Sequence, residues 1–127
     1  MDEYLSYEKL LVWQKAIDWA VDVINMSDSI NCDRKHFRII EQLESSSSSV
    51  AMNIAEGKGR FSKKEFRQYL YISRGSLYET LTLLYIIKKK NWITETDYYK
   101  LRKNGLELNK MLNSLQYTIS KSIGDRD

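Results

Sequence analysis

Histidine and cysteine, the residues most often recruited for chemistry, occur once each, as His36 and Cys32. Four residues apart, they could share a metal ion. A zinc site takes three or four ligands at set spacing, however, and only Asp33 and the backbone remain to complete one. The pair reads more simply as a surface histidine in the first turn of a helix beside an isolated thiol, with no metal bound. A lone cysteine forms no intrachain disulfide and fits a reducing cytosol. Serines are plentiful, but none lies in the strained elbow or beside the oxyanion loop that a Ser-His-acid triad needs. Gly57-Lys58-Gly59 resembles a phosphate loop only in outline. The Walker pattern needs a preceding strand, a glycine where Met52 stands and a Ser or Thr where Gly59 stands. No catalytic residue, cofactor loop or metal set emerges, and the expectation is a protein that is not an enzyme.

Two carboxylates sit among small and polar residues at helical spacing. Asn53 and Glu56 are three apart and precede Gly57; Gly75, Ser76 and Glu79 repeat the arrangement later in the chain. Residues three apart share a helix face, so these six could form a polar site between two helices. They could equally form a hydrogen-bonded network that fixes register and helix ends, and this structural role is the one expected. Gly75 and Ser76 weaken a helix unless something needs the close approach that small side chains permit.

The remaining chemical signal is charge. The net charge is +3, but it is unevenly spread. Residues 57–74 carry six basic side chains against Glu65, with Phe61, Phe66, Tyr69 and Tyr71 interleaved. Cations near a helix start can meet phosphates, and free aromatics can stack on unpaired bases. Lys58, Arg60, Lys63, Lys64 and Arg67 are therefore the candidate nucleic-acid contacts. Lys88-Lys89-Lys90 is less informative, because cations at a helix C-terminus favourably meet its dipole.

These residues must be positioned by helices. Apolar positions recur at three and four: Leu10, Trp13, Ile17, Ala20 and Ile24; then Phe37, Ile40, Leu43, Ser47, Val50 and Ile54; then Phe66, Leu70, Ser73, Leu77, Leu81 and Leu84; then Tyr98, Leu101, Gly105, Leu108, Leu112, Leu115 and Ile119. The spacing predicts helices over about 8–28, 34–56, 63–90 and 95–122, all in one domain of 127 residues. No stretch alternates long enough for a strand. The chain contains no proline, which removes the strongest helix breaker. The serine run at residues 45–49 keeps the apolar stripe in phase on both sides and is expected to be continuous helix. Ser62 and Glu65 spell a capping box, with Phe61 and Phe66 placed as its hydrophobic staple. Gly57 stands where the second helix should stop in a left-handed cap.

Short loops then predict an all-α, antiparallel up-down-up-down four-helix bundle, with Trp13, Ile17, Leu43, Val50, Ile54, Leu70, Leu77, Leu81, Leu108, Leu112 and Leu115 buried. The loop at residues 57–61 falls beside both termini. The acidic N-terminus has no apolar signal region and no stretch is long enough to span a bilayer, so a cytoplasmic protein away from membranes is expected. The third helix is apolar on more than one face around residues 81–87, and its tyrosines add interface-type surface. Self-association is expected on that ground.

The strings LVWQKA (residues 11–16), NIAEGKGR (53–60), FRQYL (66–70) and GSLYE (75–79) occur in the order found in the proteins encoded by intervening sequences of bacterial 23S ribosomal RNA genes. The chain resembles that family over about residues 7–120. The resemblance implies a four-helix up-down bundle, frequently a ring-like homopentamer, with no enzymatic activity established. Many members occur outside ribosomal RNA genes, so it implies a fold more than a role. A related fold serves as the accessory protein of diversity-generating retroelements, which binds nucleic acid and a reverse transcriptase. Two departures stand out. The serine run replaces a segment usually rich in Arg and Ala, which removes arginines an RNA contact on that face would use. Prolines common before the second helix and before the NIAEG motif are missing. Two readings remain open: an RNA-binding accessory protein, or a structural interaction module without nucleic-acid binding.

Overall fold

The computed structural model describes residues 3–30 and 34–124. Four α-helices carry it: α1 Leu11–Ser27, α2 Phe37–Lys58, α3 Lys63–Lys89 and α4 Glu95–Ile123, with no strand among the described residues. Single turns of 3-10 helix at Ser6–Lys9 and Arg34–His36 lead into α1 and α2. Each helix packs on two others in the cyclic order α1, α2, α3, α4, and no diagonal pair brings its backbones close together among the described residues. Tight loops leave little choice but this antiparallel bundle.

The loops work without proline. After α3, Asn91 takes φ 60°, a left-handed conformation that asparagine tolerates better than most residues. The turn closes with the Lys90 N–H on Ile86 O at 3.0 Å and the Trp92 N–H on Ile87 O at 3.1 Å, satisfying carbonyls that the helix end leaves bare. Thr94 caps α4 by accepting the Asp97 N–H at 3.1 Å. At the end of α1, Ser29 bonds Met26 O at 2.7 Å and Ser27 reaches Glu44 Oε2 on α2 at 2.6 Å. The following residues 31–33, including Cys32, lie outside the described residues.

The α2–α3 seam is the tightest in the bundle, and the serine run makes it. Residues 45–49 are helical throughout, with Ser46 and Ser47 buried. Ser73 of α3 donates to Val50 O at 2.7 Å, and the Thr80 and Ser46 hydroxyls lie 2.7 Å apart. Ser76 donates to Ser49 Oγ at 3.0 Å, and the Asn53 amide donates to both Ser49 O and Ser49 Oγ at 2.8 Å. Small side chains let two backbones approach, and mutual bonding removes the cost of burying their hydroxyls, about 1–3 kcal/mol for each one left unpaired. On the α1–α4 side a tryptophan fills the space instead. Trp19 donates its indole N–H to Leu101 O at 2.9 Å. Gly105 makes room, because a Cβ there would stand 3.0 Å from the indole.

The core contains Leu43, Val50, Ile54, Leu70, Leu77, Leu108 and Leu112. The phase of the first helix differs from the expected stripe. Val12, Ala16, Trp19, Val23 and Met26 are buried, whereas Ile17 is 37% exposed and Trp13 only half-buried. Helix α1 carries two apolar stripes, and the one containing the large Trp19 is drawn inward by its bond to Leu101 and the space over Gly105. Leu81 and Leu115 also prove half-buried, at the edges of the core, and Phe37, the first residue of α2, lies exposed ahead of the packed part of its stripe.

Leu112 has no exposed surface. Replacing it with alanine is expected to lower stability by about 2–5 kcal/mol in urea unfolding; a loss below about 0.5 kcal/mol would place it on the surface instead.

Candidate functional site

The basic segment forms one tip of the bundle, where α2 hands over to α3. Helix α2 runs through Gly57 and ends at Lys58, with Gly59 as its cap at φ −79°. Gly57 is therefore not a left-handed stop. It is glycine for a steric reason: a Cβ there would lie 2.5 Å from Tyr69 Cβ and 3.1 Å from the Phe66 ring. The first two turns of α3 lie directly across it.

That close crossing arranges the cations. The Arg60 guanidinium sits 4.8 Å above the Tyr69 ring, bonds the Tyr69 hydroxyl and lies 3.7 Å from Glu56. Lys58 Nζ is 5.7 Å from the Phe66 centroid. Arg67 reaches across to Ser120 on α4 at 3.1 Å. Lys63 and Lys64 stand exposed on the first turn of α3. Ser62 caps that turn by accepting the Glu65 N–H at 3.1 Å, and its hydroxyl lies 3.1 Å from Glu65 Oε1.

The hydrophobic staple does not form. Phe61 is 102% exposed, because Phe66 already covers Gly57 and the short turn aims its neighbour outward. The apex of the tip is thus a fully solvated phenyl ring, bracketed by Lys58, Arg60, Lys63 and Lys64. Exposed aromatics amid cations offer stacking and charge at one point.

The six-residue polar motif divides. Asn53 and Ser76 meet on Ser49 inside the α2–α3 seam, so they belong to the packing. Glu56 pairs with Arg60 at the tip. Glu79 is exposed and makes no hydrogen bond or ion pair among the described residues. The two carboxylates therefore share no site. Gly75 has nothing within 4 Å of a built Cβ, and no neighbour in its own chain requires it to be glycine.

Two further features bear on chemistry. His36 packs against Trp92, with ring centroids 4.9 Å apart, and no group of three or more His, Cys, Asp or Glu among the described residues could hold a metal. Lys88 lies 5.1 Å from both the Tyr98 and Tyr99 centroids and 3.3 Å from the Tyr99 hydroxyl. That hydrogen bond raises its pKa above the ordinary lysine value. Its charge is engaged within the chain. No helix among the described residues is long and apolar enough to cross a membrane.

A groove between α1 and α2, of about 330 Å³, is walled by Trp13, Ile17, Val21 and Met52 over a floor of Ala51 and Ala55. Its α1 wall is the second apolar stripe of that helix, displaced from the core.

Over this geometry, the family model for the 23S rRNA-intervening sequence protein matches residues 8–114. The chain belongs to that family. A solved structure, a protein of unknown function from the S23 ribosomal protein family of Bacteroides thetaiotaomicron, is similar to it at 26% identity and a TM-score of 0.78. The match covers 84% of this chain and 98% of that one. A search of curated protein sequences finds no match. In this member of the 23S rRNA-intervening sequence protein family, the NIAEGKGR string is the end of α2 and the tip, and FRQYL is the turn that crosses Gly57. GSLYE supplies the middle of the seam through Ser76 and turns Gly75 and Glu79 outward.

An exposed helical glycine replaced by alanine commonly gains up to about 1 kcal/mol. Gly57→Ala is expected to do the opposite, costing about 1–3 kcal/mol through overpacking and parting Tyr69 from Arg60. Gly75→Ala, which meets nothing in its own chain, should show the ordinary gain when measured on the single protomer. Thermal or urea unfolding of both variants checks the contrast; a stabilised Gly57→Ala would contradict the steric account.

Proposed function

We propose that this protein is a non-catalytic, self-assembling helical bundle whose basic tip binds RNA. The observation that carries the reading is Phe61, wholly solvated at the apex among Lys58, Arg60, Lys63 and Lys64. A large apolar ring in water has no role in the core, whereas an unpaired base stacked on it would gain about 1–3 kcal/mol. The cations supply the sequence-independent attraction to phosphates. Arg67 stands behind them, tied to α4.

A single tip binds weakly. Self-assembly with tips on one rim multiplies the contact through effective concentration and gathers a useful field from a chain of net charge only +3. Five copies are the number the family resemblance favours. The apolar surface left outside the core, on α1 beside the groove and on α3 at Ile72 and Ile86, supports assembly independently. It also supports the second reading, an interaction module with no affinity for RNA. In neither reading does a side chain act as nucleophile, acid or base.

Fluorescence anisotropy with a labelled single-stranded RNA tests the proposal. Binding should be sequence-tolerant and strong at about 50 mM salt, and should fall steeply by about 200 mM as counterion release weakens. Phe61→Ala should weaken it about 5- to 100-fold. A Lys58/Lys63/Lys64→Glu variant should stay folded and assembled but lose affinity. Absence of any shift at about 50 mM salt would leave the interaction module as the function, and light scattering at the mass of one protomer would remove assembly from both readings.

A further inference from the structure

Helix α3 presents an outer face that nothing in its own chain covers. Ile72, Gly75, Glu79, Thr82 and Ile86 recur at three and four and are all exposed. Ser73, Ser76 and Thr80 face α2, and Arg74 and Tyr78 reach α4. Gly75 is the anomaly on this face. The bundle gives no reason for a helix-weakening residue there, since a side chain would meet open space.

From this we infer that the outer face of α3, centred on Gly75, seats in the α1–α2 groove of a second copy of the chain. The inference rests on the self-assembly part of the proposed function and names its two surfaces. The hydrogen bonds of the bundle act as a ruler. Ser73 is level with Val50 and Ser76 with Ser49, and Ser27 at the foot of α1 is level with Glu44. Copies related by rotation about an axis along the bundle meet at equal heights. Gly75 of one copy then faces the middle of its neighbour's groove, where Met52, 65% exposed, stands proud of the Ala51 floor. A missing side chain there lets the methionine reach the α3 backbone. Ile72 falls beside Ile17 and Ala55. Glu79 falls at the level of the exposed hydroxyl of Ser45, a donor its own chain does not provide.

Charge agrees with this pairing at the level of the segments around the two surfaces. The groove lining carries no charge and Glu79 is the only one on the seat, so the match lies in the surrounding segments: residues 1–56 carry ten acidic against five basic side chains, and residues 57–93 nine basic against two acidic. Such complementarity steers one face to the other and disfavours like faces meeting. Groove and seat also lie on adjoining sides of the bundle, because α2 touches both α1 and α3. A head-to-tail contact between adjoining sides turns at every step, and a contact of this kind closes into a ring when its rotation closes. All tips then lie on one rim.

Because one copy gives a groove and the next a seat, damage to each surface must be complementary. Gly75→Leu fills the seat at a position with room for it. Val21→Arg puts a charge in the groove wall, at a residue half-exposed in the single chain. Circular dichroism should show both variants folded, and light scattering should return the mass of one protomer for each alone. Mixing them should give a species of two protomers and no larger one, since only one intact groove and one intact seat remain. A wild-type protein found monomeric at micromolar concentration would sink self-assembly and this inference together. A wild-type oligomer that survives Gly75→Leu, or folded single variants that fail to pair when mixed, would overturn the groove-and-seat contact and leave self-assembly standing.

Discussion

The close approach of α2 and α3 is the constraint from which the rest of the molecule follows. It is made from residues chosen for what they lack: Gly57 has no side chain, and Ser46, Ser49, Ser73 and Ser76 have little more than a hydroxyl. Hydroxyls on facing helices bond one another and facing carbonyls, so the seam is polar without leaving groups unpaired. A leucine-lined seam of the same length would hold the helices farther apart. The narrow seam rotates α3 so that Gly75 and Glu79 face outward, and it brings Tyr69 onto Gly57, where Arg60 can lie across its ring. The shape of the tip and the uncovered face of α3 are both consequences of one packing choice.

Much of the fold was legible in the sequence because the helical periodicity is strong and the breaks carry capping residues. The run of five serines illustrates how tertiary packing overrides local character: read alone it suggests a linker, yet its phase with Leu43 and Val50 identifies a helix face. The first helix is ambiguous in sequence. With apolar residues at 12, 13, 16, 17, 19, 20, 21, 23 and 24, two overlapping stripes satisfy the same period, and periodicity cannot choose between them. What chooses is Trp19 against Gly105, a contact 86 positions apart in the chain. The discarded stripe was itself a signal, since a helix with two apolar sides has one more than a four-helix monomer can cover.

The candidate site was legible in composition but not in geometry. The cations of the tip stand where the sequence placed them, near one end of the bundle. Phe61 was expected to be packed because the staple pattern matches its position, and the pattern could not reveal that Phe66 was already committed to Gly57. Gly57 has the look of a stop signal in the sequence, but its actual constraint is the neighbour across the seam. Glu56 and Glu79 share similar local strings, yet one sits at the tip and the other on an outer face. The distance between them along the bundle depends on the turn that separates α2 from α3.

On the proposed reading, the tip, with an unpacked aromatic ring, an engaged arginine and exposed lysines, is the binding surface, and the uncovered faces of α1 and α3 are the means to repeat it around a rim. Ultraviolet cross-linking of the wild-type protein to a single-stranded RNA, mapped by peptide mass spectrometry, tests this most directly. The account predicts cross-links concentrated on the peptide containing Phe61 and its flanking lysines, and their loss at high salt. Cross-links confined to the lysine- and arginine-bearing outer surface of α4, around Lys100, Arg102 and Lys103, would contradict it.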